Sequence, residues 1–158
     1  MRFTAGSTGV KTMLINRDFL EFIKLLNTHK VKHVIVGAYV RAFYGRPRYT
    51  GDIDILIEPD ESNALKMVKV LDDFGFGSLG LKVDDFTAPG QTIQLGQEPR
   101  RIDILTSISG VDFKTAWDNR QITEIDGIKA AFLGKDEYIK NKKSTGRTKD
   151  LADIEEIL

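Results

Sequence analysis

The chain has 158 residues, a formal net charge of zero and no cysteine. This length is enough for one domain with a sizeable core. The absence of cysteine excludes disulfides, thiolate zinc sites and a cysteine nucleophile. Zero net charge excludes a whole-protein field that would draw the chain to nucleic acid or to an anionic membrane. The sequence has no apolar run of 18 or more residues, so we expect a cytoplasmic protein with no membrane partner.

The chain alternates between helical and extended patterns. Residues 1–13 show no periodicity and are expected to form a flexible arm, whereas residues 14–158 are expected to form a single domain. Asn16 is a good cap for a first helix, because Phe19 and Phe22 begin an apolar stripe at helical spacing. The remaining predicted elements, in chain order, are a strand at 31–36, a helix at 38–44, a strand at 52–57, a helix through 64–71 that ends near Gly75, strands at 92–95 and 101–106, a helix at 113–119, strands at 122–125 and 129–133, and helices at 136–143 and 149–158. This order predicts an α/β (α+β) fold with a small mixed sheet flanked by helices and a helical C-terminus.

Asp52 and Asp54 lie at the start of the second predicted strand, on either side of Ile53. Alternate side chains of a strand point to the same face, so the two carboxylates are expected to lie side by side. If the preceding chain is also extended, Thr50 and Arg48 share that face. Two like charges at this spacing repel each other, and a divalent cation would remove the repulsion. Carboxylate oxygens suit Mg²⁺ or Mn²⁺, ions that usually act on phosphates.

Two other positions are consistent with phosphate chemistry. Gly37 stands where a predicted strand turns into a helix, a place where backbone N–H groups can hold a phosphate, although a tight turn selected for packing explains it equally simply. Asp103 interrupts an apolar strand, where a carboxylate is costly unless it is paired or binds metal. An edge-strand aspartate facing water is the competing interpretation.

Two further groups of residues have patterns that are typical of the protein surface. The C-terminal basic run contains Lys142 and precedes an acidic helix, a pattern typical of a solvated face. His29 and His33 are four residues apart but lie on either side of a predicted helix end, so we expect them on the surface rather than as metal ligands.

The order of residues around the aspartate pair excludes one common motif and argues against another. An EF-hand loop needs an oxygen ligand and then glycine at its fifth and sixth positions, where this chain has Leu56 and Ile57. In phosphatases of the haloacid-dehalogenase kind an apolar strand precedes the first aspartate, whereas here the apolar run follows Asp54.

The combination of a strand ending in Gly37, a short helix, Asp52-x-Asp54 and Asp103 on a later strand resembles the polymerase-β-type nucleotidyltransferase superfamily. The stretches VGAYVRAFYGRPRYTGDIDILIE and KSTGRTKDLADIEEIL are similar to small stand-alone bacterial nucleotidyltransferase-like proteins, relatives of abortive-infection toxins. The similarity covers roughly residues 14 to 158. Ala38 stands where the superfamily usually has glycine or serine, which leaves the backbone N–H groups of this turn to hold a phosphate.

The resemblance implies a set of site residues. Asp52 and Asp54 would ligate two Mg²⁺ ions, one of which also binds a nucleoside triphosphate such as ATP, and Asp103 would complete the second metal site and act on the attacking hydroxyl. The other residues implied in phosphate binding are Gly37, Ala38, Arg48, Thr50 and Lys142. Asp150 matches a recurrent acidic residue that would orient the lysine.

Two hypotheses of function follow. The first is an enzyme that moves a nucleoside monophosphate from a triphosphate to a hydroxyl of an RNA end, a protein or a small molecule. The second is a degenerate nucleotidyltransferase fold that binds nucleotide or a protein without turnover. The resemblance to toxins also implies that the protein could have an antitoxin partner. The acidic C-terminal helix could pair with a second copy of the chain.

Overall fold

The computed structural model of the protein describes residues 2–5, 11–45 and 51–158. These residues form eight β-strands and six α-helices. The strands are β1 (Arg2–Ala5), β2 (Lys11–Leu14), β3 (His33–Val36), β4 (Ile53–Ile57), β5 (Thr92–Leu95), β6 (Ile102–Leu105), β7 (Gln121–Ile125) and β8 (Ile128–Phe132). The helices are α1 (Arg17–Thr28), α2 (Ala38–Tyr44), α3 (Glu61–Phe74), α4 (Phe113–Asp118), α5 (Lys135–Thr145) and α6 (Thr148–Glu155). Two short 3₁₀ helices, Gly77–Leu79 and Val83–Phe86, connect α3 to β5.

Six strands form one mixed sheet in the order β5-β6-β4-β3-β8-β7. The central strand β4 pairs antiparallel with β3 and parallel with β6. Strand β8 pairs parallel with β3, and the outer strands β5 and β7 are antiparallel to their neighbours. The predicted small mixed α/β sheet is therefore confirmed.

The helices begin and end for local reasons. The Asn16 side chain accepts a hydrogen bond from the Asp18 N–H and caps α1, as the sequence predicts. Asp60 caps α3 in the same way through the Asn63 N–H, at 2.7 Å. The α3 helix ends at Gly75, which is in the left-handed conformation that favours glycine.

The core lies where α1 and α3 pack against the sheet. Phe19, Phe22 and Ile23 of α1 are buried together with Ile55 of β4 and Met67 of α3. The Phe22 ring meets Phe74 edge-to-face with centroids 5.1 Å apart. Because β4 is held between buried strands on both sides, its register fixes the position of any polar residue that it carries.

Some details differ from the sequence-based expectations. β1 and β2 pair antiparallel within the stretch where no regular structure was expected, with Phe3 opposite Met13. His33 is buried and only 4% exposed, so the expectation of a surface position is wrong for this residue. The predicted strand at 31–36 contains His33, and all four residues of β3 are buried, so both faces of this strand are covered. No helix in the described ranges is both long enough and apolar enough to cross a membrane.

Candidate active site

The register between β4 and β6 places two predicted site residues next to each other. Asp54 of β4 lies opposite Asp103 of β6 in the parallel pairing, and on its other side Asp54 lies opposite Val36 of β3. Asp103 is buried, with 7% of its surface exposed, and Asp54 is partly buried. Two carboxyl groups from different parts of the sequence are thus direct neighbours on adjacent strands of the sheet.

This proximity changes the ionisation of Asp54. Burial, the negative charge of Asp103 and a hydrogen bond between the two carboxyl groups raise the pKa of Asp54 to about 7. The positive charges of Lys142 and Arg101 act in the opposite direction. The two cations offset only part of the effects of burial and of the neighbouring carboxylate on the pKa of Asp54.

Arg101 supplies part of that positive charge. Its Nε and Nη2 atoms donate to the two carboxylate oxygens of Asp103, at 2.7 and 3.1 Å. This is the two-point geometry for which a guanidinium group is suited. Nη1 donates to Glu98 at 3.0 Å on the outer side.

Asp52 immediately precedes β4 and is held by the same arginine. Its Oδ1 accepts the Arg101 backbone N–H at 2.8 Å, and its Oδ2 lies 3.5 Å from Arg101 Nη2. Arg101 therefore connects Asp52 to Asp103, and the β4–β6 pairing connects Asp103 to Asp54. The three aspartates form one group, which we call the carboxylate centre.

Lys142 approaches the carboxylate centre from α5. Its Nζ lies 3.4 Å from Asp150 Oδ1 and 3.9 Å from Asp153 Oδ2, and its charge acts on Asp54. Asp150 is buried, and hydrogen bonds from Thr145, Arg147 and Lys142 lower its pKa to about 2 although burial opposes them. Asp150 is therefore ionised at neutral pH and holds the Lys142 ammonium group.

Gly37 and Ala38 occupy the turn from β3 into α2. Gly37 has φ +74° and ψ −147°, a conformation that is essentially restricted to glycine. A Cβ atom at this position would overlap Asp54 Oδ2. The glycine therefore lets the chain turn immediately beside the Asp54 carboxylate, and this places the first N–H groups of α2 near the carboxylate centre.

The structure brings together most of the residues that the sequence singles out. Asp52, Asp54 and Asp103 lie at one place, with Gly37 and Lys142 beside them. Arg48 and Thr50 lie outside the described residues, so their roles stay predictions.

The carboxylate centre fits a divalent cation by its chemistry. Carboxylate oxygens are the ligands that Mg²⁺ and Mn²⁺ prefer, and three aspartates contribute such oxygens here. Within residues 2–5, 11–45 and 51–158, however, no three histidine, aspartate or glutamate side chains are already arranged around a common metal position. The reason is visible in the contacts: Asp52 and Asp103 are directed at Arg101.

Two solved structures resemble this arrangement of elements. A candidate nucleotidyltransferase from Thermotoga maritima has a TM-score of 0.59 and 17% sequence identity, covering 90% of this chain and 94% of its own. The lincosamide antibiotic adenylyltransferase LnuA, bound to lincomycin, has a TM-score of 0.56 and 18% identity, covering 92% of this chain and 97% of its own. The chain has a nucleotidyltransferase fold. No protein-family model matches it, and neither does any curated protein.

In this nucleotidyltransferase fold, two contributors to the site were missed by the sequence analysis. Arg101 lies two residues before Asp103, so strand alternation already placed it on the aspartate face. Asp153, which lies near Lys142, also pairs with Arg41 of α2. That contact joins residues 112 positions apart in the sequence, and no local pattern indicates it.

The contact between Gly37 and Asp54 generates a stability prediction. Gly37→Ala should lower the free energy of unfolding by about 3 kcal/mol, because the new Cβ is strained at this φ and also displaces Asp54. Gly75→Ala is the matched control, since Gly75 has φ +97° with open space around it, and should cost about 1 kcal/mol. Urea titration of both variants measures the difference, and equal losses would contradict a close approach between Gly37 and Asp54.

Proposed function

We propose that the protein is a metal-dependent nucleotidyltransferase that moves a nucleoside monophosphate from a nucleoside triphosphate to a hydroxyl group. The observation that carries this proposal is the in-register pairing of Asp54 with Asp103, beside Asp52, on a nucleotidyltransferase fold. A Mg²⁺ or Mn²⁺ ion held by Asp52, Asp54 and Asp103 would neutralise triphosphate charge and make the acceptor hydroxyl more acidic.

The protein residues then have separate tasks. The acceptor oxygen attacks the α-phosphorus, the bond from that phosphorus to the bridging oxygen breaks, and pyrophosphate leaves with the electron pair. Asp103 is the proposed acceptor of the hydroxyl proton, the role that the resemblance implies, and it would act once Arg101 is displaced from its two oxygens. Lys142, fixed by Asp150, would contact the phosphates that become pyrophosphate. Arg48, Thr50 and the Gly37–Ala38 turn are proposed to hold the rest of the triphosphate.

The molecule that receives the nucleoside monophosphate is proposed only as a compound with a free hydroxyl group. An RNA end, a protein and a small molecule all offer the required hydroxyl, and the antibiotic adenylyltransferase among the structural neighbours is the reason to test ATP and small hydroxylated compounds first. A toxin activity with an antitoxin partner in the cytoplasm rests on the resemblance of the two sequence stretches alone.

A second candidate function is supported by a specific contact. Arg101 already forms ion pairs with Asp52 and Asp103, so the protein's own guanidinium group occupies part of the metal-binding face. A site closed permanently in this way would belong to a nucleotide-binding module without turnover. The two candidates differ in one measurable respect, which is whether a divalent cation displaces Arg101.

Nucleotide binding tests the first candidate. Calorimetric titration with each nucleoside triphosphate should show binding in Mg²⁺ that is lost in EDTA, because the carboxylate centre then repels the triphosphate. The Asp52→Ala/Asp54→Ala variant should lose at least about tenfold in affinity, which corresponds to about 1.4 kcal/mol. Equal binding with and without Mg²⁺, or equal binding by the double variant, would contradict a metal–triphosphate site.

Metal affinity tests the role of Arg101. Arg101→Gln removes a positive charge that competes for Asp52 and Asp103, so Mn²⁺ should bind at least about tenfold more tightly, as free Mn²⁺ measured by electron paramagnetic resonance would show. Arg100→Gln is the matched control, because Arg100 is the exposed neighbour. If neither variant nor the wild type binds Mn²⁺, the module without turnover is the better account.

A further inference from the structure

A cavity lies away from the carboxylate centre, and we call it the basic cavity. Its volume is about 840 Å³, within the range of about 300–1,000 Å³ that small-molecule sites occupy. It is an open cleft bordered by the end of α1, the start of β3, α3, α4 and the β7–β8 hairpin. Val31, Trp117 and Ile128 contribute apolar wall, and His33 is also part of the lining.

Positive charge is concentrated around this cavity. The described lining contains six cationic side chains and no aspartate or glutamate. The cations are Lys24, Lys30, Lys32, Lys66, Lys129 and Arg120. Lys32 pairs with Glu58 at 3.5 Å, outside the lining. Since the whole chain has a formal net charge of zero, this excess is local and favours a ligand with more than one negative charge.

Arg120 is held in a fixed position at this site. Its guanidinium group lies 3.5 Å from the centre of the Trp117 ring, and its Nη1 donates to the Trp117 carbonyl at 2.6 Å. A planar cation fixed over an apolar wall is suited to an anionic group carried on an apolar body.

His33 adds a buried polar atom to the lining. Its Nδ1 lies 2.8 Å from the Val31 carbonyl oxygen and therefore carries the proton in this contact. Its Nε2 is buried and has no hydrogen-bond partner among the described residues. Burial lowers the pKa of His33, so the ring is neutral and Nε2 can accept a hydrogen bond. Such a buried acceptor is costly unless something donates to it.

The basic cavity is distinct from the carboxylate centre. His33 is the first residue of β3 and lies opposite Ile57, whereas Val36 at the other end lies opposite Asp54. Three residues of extended strand separate the two ends by about 10 Å. The basic cavity and the carboxylate centre therefore lie at opposite ends of β3, and none of Asp52, Asp54 and Asp103 lines the cavity.

We propose that the basic cavity is a second binding site, for a small organic phosphate. A phosphate ester supplies up to two negative charges to the lysines and Arg120, and its organic part contacts Val31, Trp117 and Ile128. A hydroxyl or amino group on that organic part would reach His33 Nε2 only by displacing the wall that covers this atom. The proposal does not depend on the nucleotidyltransferase activity, because it uses no residue of the carboxylate centre.

The single tryptophan of the chain reports on this site directly, since Trp117 lines the cavity. Trp117 emission should be followed while AMP or glucose 6-phosphate is added in EDTA, with inorganic phosphate and adenosine as comparison ligands. We expect a saturable change with at least one organic phosphate, unaltered in the Asp52→Ala/Asp54→Ala variant. Inorganic phosphate and adenosine should each bind at least about tenfold more weakly, because each offers only half of the contacts.

Charge variants test the position of the site. Lys66→Gln should weaken binding about threefold to tenfold, and Lys24→Gln/Lys66→Gln should weaken it further. Lys69→Gln is the matched control, because Lys69 is exposed on the same helix and does not line the cavity. The proposal is overturned if no organic phosphate changes Trp117 emission at millimolar concentration, if Lys66→Gln and Lys69→Gln behave alike, or if only an RNA oligonucleotide binds.

Discussion

The pairing of β4 with β6 is the constraint on which the site depends. Parallel register places Asp54 beside Asp103 in the sheet, and the surrounding strands are too well buried to let either carboxylate move away. Two carboxylates in that position repel each other, and burial strengthens the repulsion by lowering the effective dielectric constant. Burial of the Asp54 carboxyl group is the largest cause of its raised pKa, and the negative charge of Asp103 raises it further. The rest of the site can be understood as the placement of positive charge around this pair.

The protein supplies some of that charge itself. Arg101 binds Asp103 and Asp52. The charge of Lys142, on α5, acts on Asp54, and Asp150 holds the Lys142 ammonium group. Arg101 immediately precedes the strand that carries Asp103, so the two charges of this ion pair are only two residues apart. A cation entering the site must compete with this arginine. The two candidate functions are therefore two outcomes of one electrostatic competition.

The sequence predicted the elements better than the connections between them. The helix after Asn16 and the strands around Asp54 and Asp103 followed from caps and apolar periodicity, because these signals are local. The pairing of Asp54 with Asp103 followed only from a resemblance, since residues 49 positions apart have no local signal for strand register.

Arg101 could have been found by strand alternation. The contact between Arg41 and Asp153 could not, because it depends on how α2 and α6 pack. His33 lies in a predicted strand, but its burial could not be read from the sequence, because covering of both faces of β3 depends on how the helices pack against the sheet.

The most direct test of the account is a crystal structure of the protein with Mn²⁺ and a non-hydrolysable ATP analogue, measured at a wavelength where manganese scatters anomalously. We predict an anomalous peak in contact with Asp52, Asp54 and Asp103, with the Arg101 guanidinium withdrawn from Asp103 and Lys142 on the phosphates. A structure in which Arg101 still bridges Asp52 and Asp103, with no manganese peak at the carboxylate centre, would contradict a metal-dependent transferase.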